Sequence, residues 1–402
     1  MLENNYLKVI VVLLIFITVI PVGIYSQEID DLQITEEEII SSTARGRVLE
    51  IISETEEEIL ADNYSFRRMI QIINVKITSG KYKDEIIEVQ NIIDDRVAYS
   101  IVIHKGDRIM VYLQEDQEGN ILSAYADEII RDTYLLYLLI LFIIALSVVG
   151  GLKGIKAIIA LGLTAVVIIK LFFPLIIMGN DPIFVSVLLC IGIIIISLFI
   201  IGGINKKSIS AIIGTSGGVM LAGILALAFG SMARLTGLGN QEAQMLNFIS
   251  QEVSFNFQGL LFAGIIIGAL GAVMDVGMSV ASAMNEIKET SPQIKTKHLI
   301  KAGINVGRDI MGTMSNTLIL AYMGGTIHLI ILFMFYEIPI VEIINQDVIA
   351  SEIVRALAGS IGLVFAVPFT AVVAGMIYKK PKNTVDKKQE SGGVSTDPDY
   401  KF

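Results

Sequence analysis

The sequence predicts an all-α polytopic membrane bundle of about eight transmembrane helices, joined to a small extracytoplasmic β domain. Three observations predict it. The 402-residue chain is 53% hydrophobic and only 17% charged, too apolar for a water-soluble protein of that length, and runs of about 18 or more apolar residues recur along it. The charges between those runs are sorted by sign. One stretch, residues 27–132, breaks the pattern with 24 acidic and 11 basic residues and β-branched segments in place of apolar spans.

The first apolar run, Val9 to Ile24, follows a short head containing Lys8. Pro21, Gly23 and Ser26 look like a cleavage region, but Ile24 stands where a small side chain is wanted. Residues 1–26 are therefore expected to be a retained anchor rather than a removed signal. Seven further spans are expected at about 133–150, 157–177, 183–203, 208–231, 257–285, 312–335 and 353–378, forming a transmembrane domain over residues 133–378. Lysine and arginine stay on the cytoplasmic side. One set of loops carries Lys153 and Lys156, Lys206 and Lys207, then Lys288, Lys295, Lys297, Lys301 and Arg308, and finally Lys379, Lys380 and Lys382. The alternate loops carry Asp181, Glu242, Glu252, Glu337, Glu342 and Asp347, against Arg234 and Arg355 only. Both termini are thus expected in the cytoplasm and residues 27–132 outside. Lys170, near the outer end of its span, can snorkel to the headgroups. The tail, residues 379–402, has nothing to bury and is expected to be disordered.

Within residues 27–132, "ARGRVLEII", "IQIINVKITSG", "EIIEVQNII", "RIMVYLQED" and "ILSAYADEI" have the β-branched content and partial alternation of strands. "QEGN" at 117–120 is a hairpin turn and "KITSGKYKDE" contains another. Five short strands suit an OB-like barrel first and a simple sandwich second. The acidic runs "TEEEI" and "ETEEEI" are expected to be solvated faces, and the acidity excludes nucleic acid as a partner.

The residues that carry chemistry lie in the membrane spans. Along "GALGAVMDVGMSVASAMNEIKET", steps of three and four place Gly264, Gly268, Gly271, Asp275, Ser279, Ser282 and Glu286 on one stripe. Asp275 lies eleven residues, or roughly 16 Å, from the wet end at Glu286. An intramembrane carboxylate is by default a proton- or ion-relay candidate, and small residues beside it let helix backbones approach. The plainer reading is a hydrogen-bonded Asp that locks a bundle. Gly214 and Gly218 give the span at 208–231 a matching face. The span after Arg308 and Asp309 carries Thr313, Asn316 and Gly324, with Asn316 roughly 12 Å beyond Arg308 and so near the depth of Asp275. Thr313, Asn316, Ser279 and Ser282 are therefore expected to support it, with Glu286, Arg308 and Asp309 at the cytoplasmic boundary. The intervening "ETSPQIKTKHLIKAGINVGRD" is expected to be an interfacial helix capped by Ser291.

Other chemistries are excluded. Cys190 is the one cysteine, so the chain holds no internal disulfide or cysteine zinc site, and His104, His298 and His328 form no HExxH pair. "GTSGG" holds the GxSG pattern of rhomboid-type proteases at Gly214–Gly217. Ser216 lies roughly 13 Å from Lys207, however, and His328 roughly 30 Å from Arg308, different depths for a nucleophile and its base. No enzymatic activity, metal or cofactor is expected.

"VKITSGKYKDEIIEV", "GNILSAYADEIIRD", "LLFAGIIIGALGAVMDVGMSVASAMNEI", "VGRDIMGTMSNTLILAYMGG" and "EIVRALAGSIGLVFAVPFTAVVAG" resemble the YibE/F family of bacterial membrane proteins, over about residues 40 to 378. The resemblance implies the architecture and no particular activity. A helix with one acid, a basic segment, then Arg, Asn and Thr on the next span is more faintly similar to SecF and the resistance-nodulation-division membrane domains, which couple proton movement to export. The expectation is a transporter or export-assisting protein of the cell membrane, with Asp275 as coupling acid. The alternative is a non-transporting scaffold or sensor whose external domain binds a partner. Its partners are the lipid bilayer and a second copy or another membrane protein.

Overall fold

A computed structural model describes residues 40–61, 64–94, 96, 101–249 and 255–379. The anchor expected at residues 1–26 and the tail beyond Lys379 lie outside them. The described residues fall into two compact units that divide between Ala145 and Leu146.

The first unit is a closed barrel of β1 (Ile40–Ala61), β2 (Tyr64–Ile77), β3 (Ile86–Asp94), β4 (Arg108–Glu115) and β5 (Ile121–Ile129), in the order β1-β2-β3-β5-β4. All pairs are antiparallel except β3 with β5. This is the OB-like arrangement, not the sandwich. Alternation drives it: in β4 every second residue, Ile109, Val111, Leu113 and Glu115, is buried. These meet Val48, Ile73, Val75, Ile77 and Val89 inside the barrel. At Gly46, β1 pairs with both Ile77 and Ile109, and an added Cβ would stand 2.3 Å from Val75 Cγ1. The strand can therefore turn from one neighbour to the other only without a side chain there. The buried Gln71 donates to Glu54 Oε1 at 2.7 Å and accepts from Ile103 N at 3.0 Å and Asn91 Nδ2 at 2.8 Å. That network ties the segment before β4 to the barrel. The acidic run at the end of β1 is strand, and Glu57 and Glu58 stand opposite Arg68 and Arg67.

The helices are α1 (Asp132–Val167), a π-helical turn (Ile168–Phe172), α2 (Phe173–Ile177), α3 (Pro182–Gly202), α4 (Lys206–Met232), α5 (Gln241–Ile249), α6 (Phe257–Thr290), α7 (Thr296–Gly325), α8 (Ile327–Phe335), α9 (Ile340–Ile344) and α10 (Asp347–Ile377). Five described helices are long and apolar enough to cross a membrane, or six if α7 and α8, bent by 58°, make one span. The first of these, Asp132–Ile177, has 46 residues and is broken at Gly151, whose φ is 53° and ψ −137°. A Cβ on Gly154 would lie 2.0 Å from Leu146 O, although residues eight apart on a straight helix stand roughly 12 Å apart. The helix is sharply kinked here.

The core of the second unit is α4, α6 and α10, with α3 and α7 against them. Leu198, Ala222, Ile266, Val273, Val280, Leu363 and Ala371 fill it. Helix starts are set by side-chain caps: Asp181 accepts from Phe184 N, Asn205 from Ser208 N and Asn256 from Gly259 N. One expectation is corrected. Ser291 is not the cap of a separate interfacial helix but ends α6, and the basic segment from Thr296 is the first half of α7. It packs on the bundle through Leu299, Gly303 and Gly307.

Candidate functional site

The candidate residues meet on the α6–α7 hairpin. Asp275 is 18 residues from Phe257 and 15 from Thr290, near the middle of a helix roughly 51 Å long. The apolar face of α6, with Ile265, Ile266, Ala269, Val273, Val276, Val280, Ala281 and Met284, is buried. The opposite stripe is open: Gly264, Gly268, Gly271, Asp275, Ser279 and Glu286 are exposed and Ser282 is half-buried. The stripe, expected to face another helix or a wet cleft, lies away from the buried core. An added Cβ would meet nothing within 4 Å at Gly264 or Gly271, and at Gly268 would meet the Tyr322 hydroxyl at 2.6 Å.

Two close approaches fix the antiparallel register of α6 and α7. Gly303 lies against Met284, whose Sδ would be 2.4 Å from an added Cβ, and Gly268 lies against Tyr322. Between those points Asp275 falls level with Thr313, and Asn316 with the turn before it. Thr313 and Asn316 are exposed. The Thr313 hydroxyl donates to Ile310 O and that of Thr317 to Thr313 O, both at 2.9 Å. These hydroxyls are therefore spent on their own helix. Asp275 and Asn316 have no hydrogen bond or ion pair among the described residues. By the same register Arg308 and Asp309, both exposed, fall level with Ser279 and Val280. That is about 8 Å along the axis from Asp275.

Gly214 and Gly218 sit elsewhere, on the buried face of α4. An added Cβ would lie 2.0 Å from Thr370 Oγ1 at Gly214 and 2.7 Å from Gly362 O at Gly218. The GxSG pattern therefore coincides with a contact between helix backbones. Thr215 is fully buried there, and His328 is exposed on α8.

Sequence reasoning missed the groups at the far end of the open face. Tyr322 stands on Gly268, and the Arg355 guanidinium lies over its ring at 5.8 Å. Arg355 also pairs with Glu352 at 2.7 Å. Both line a cavity of about 240 Å³ with Asn240, Phe257, Leu260 and Ser351. Arg355 and Glu352, three apart on one helix, were the only available signal.

Residues 138–380 match the YibE/F-like protein family. The chain belongs to the YibE/F family. Its barrel matches separately, residues 40–129 of this YibE/F protein corresponding to the YibE/F family N-terminal domain. No match was found among curated proteins or among solved structures.

Proposed function

We propose that this YibE/F protein moves a substrate, or assists export, by coupling the process to a proton or ion taken up at Asp275. The observation that supports this is the open, unpartnered carboxylate at mid-helix, level with Thr313 and Asn316. A charged side chain at such depth costs at least about 2.5–3.5 kcal/mol on insertion scales. It therefore has to be hydrated, covered or protonated. A hydrated face between α6 and α7 admits the proton, and protonation lets the face close. Charge sorting between the spans supports an arrangement with both termini cytoplasmic and the barrel outside.

A second reading is favoured by Gly264 and Gly271, which have open space where Gly214, Gly218 and Gly362 meet a facing helix. On that reading the face is a passive association surface, covered by another helix, and the protein is a scaffold or sensor.

Two substitutions separate the readings. Asp275→Asn retains shape and hydrogen bonding, so for a relay it should leave thermal stability unchanged while abolishing proton uptake into proteoliposomes. For a passive contact Asp275→Asn should be nearly silent, whereas Asp275→Leu should alter association or stability. A fully active Asp275→Asn protein would end the relay reading. Ser279→Cys should react with a water-soluble maleimide if the face is wet, and failure to label would show a dry one.

A further inference from the structure

We propose that the barrel, at the end where α1 begins, holds the phosphate of an anionic phospholipid headgroup between Arg47 and Arg108. The proposal starts from strand register. Arg47 on β1 stands directly opposite Lys76 on β2 and directly opposite Arg108 on β4, so three cations lie in one row across three strands. Like charges in such positions repel. They do so here in a region where acidic residues outnumber basic ones by more than two to one. Lys76 is neutralised by Asp84 at 3.0 Å. Arg108 donates to the Thr133 hydroxyl at 3.0 Å, in the first turn of α1, and feels the Asp132 carboxylate, which is itself paired with Arg45 at 2.8 Å, so Arg108 only shares that charge. Arg47 has no hydrogen bond or ion pair among the described residues.

The two arginines share a cavity of about 570 Å³ with Thr78, Gly106, Asp107, Ile129, Ile130 and Tyr134. Its walls are fixed by the backbone: Thr78 N donates to Arg45 O, Gly106 N to Val48 O and Ile130 N to Arg108 O, at 2.6 to 3.0 Å. Asp107, the one carboxylate lining it, accepts from His104 N at 2.8 Å and closes its own turn. A planar guanidinium on each side suits bidentate contact with phosphate oxygens. The depth of the site points to a lipid. Tyr134 is an aromatic of the kind that marks the headgroup level, and from Leu135 to Ile144 every residue of α1 is apolar or Tyr and exposed. Ile129, Ile130 and Tyr134 offer an apolar wall to the glycerol end of the headgroup.

The test uses the full chain in detergent, titrated with phosphatidylglycerol or phosphatidylcholine and read by native mass spectrometry. Phosphatidylglycerol should be retained on the wild type in preference to phosphatidylcholine. Arg47→Gln with Arg108→Gln should weaken that retention about tenfold or more, while Arg67→Gln, on an arginine outside the row, should not. Arg47→Gln alone removes a side chain with no partner in the fold, so its melting temperature should match the wild type while retention falls. Retention by the single and double variants equal to that of the wild type would overturn the site. Displacement of the lipid by millimolar inorganic phosphate would overturn the lipid assignment in favour of free phosphate.

Discussion

Two helices of the bundle carry the same small-residue spacing and put it to opposite uses. On α4, Gly214, Gly218, Ala222 and Ala226 are all buried, and the approach is mutual. An added Cβ on Gly218 would stand 2.7 Å from Gly362 O, and one on Gly362 would stand 2.6 Å from Gly218 O. On α6, Gly264 and Gly271 face open space, and the stripe continues into Asp275 and Ser279. A glycine ladder therefore records where something comes close without saying what. The residues that follow it decide. An alanine ladder continues packing, whereas an acid and serines turn the same face toward water, an ion or another chain.

The largest effect that can break this comparison lies on α4. Gly218→Leu would drive a branched side chain into the Gly362 carbonyl and the Ala366 methyl at once. Overpacking costs typically about 1–3 kcal/mol, and backbone on the facing side leaves no room to relax. The variant should lose the monodisperse folded protein in detergent. A normal melting temperature for Gly218→Leu would mean that α4 and α10 do not approach as described.

A smaller effect is expected at the matching position on α6. A Cβ on Gly271 meets nothing within 4 Å among the described residues, so the stability of Gly271→Leu should stay within about 0.5 kcal/mol of wild type. What should change is whatever occupies the open face. Reduced maleimide labelling of Ser279→Cys in the Gly271→Leu background would indicate a hydrated groove, and a changed oligomeric state would indicate an association surface. Unfolding of the single chain by Gly271→Leu would erase the contrast between the two helices.

The barrel and the paired helices were legible because each rests on a local rule. Alternation and the turns at Gly119 and Gly80, both with positive φ, mark the strands, and apolar length marks the spans. The extended ends of β1 and β2 were not legible, because "ETEEEI" is polar on both faces and its pairing with Arg67 and Arg68 depends on cross-strand register. Which of the two expected surroundings, another helix or a wet cleft, meets the α6 stripe was not legible, for a physical reason. Spacing defines a stripe but not which side of it the core lies on, and the β-branched and aliphatic residues at Ile265, Val273 and Val280 were the true core side. The start of α7 at Thr296 rather than after Arg308 was not legible, because the basic segment reads equally well as a separate interfacial helix.

The smallest effect concerns carboxylates, and it sets the lone Asp275 against acids that the chain does partner. In the barrel, Glu115 accepts from the Ser42 hydroxyl and from Lys81 Nζ at 3.2 Å. Asp94 is held by Arg96 Nη2 at 2.7 Å and by Arg68 at 3.6 Å. Hydrogen bonding from Ser42 chiefly, with Lys81 beside it, keeps the Glu115 carboxyl below its ordinary range, and hydrogen bonding from Arg96 does the same for Asp94. A carboxylate whose folded pKa is depressed stabilises the fold above its unfolded pKa of about 4. That stabilisation disappears as pH falls through the lower folded value. Calorimetry of the full chain should therefore show the barrel transition of the wild type above that of Glu115→Gln at pH 7, with the two converging as pH drops below about 4. Curves that stay parallel to acid would show that the Ser42 and Lys81 contacts contribute packing rather than charge. The contrast with Asp275 would then rest on position alone.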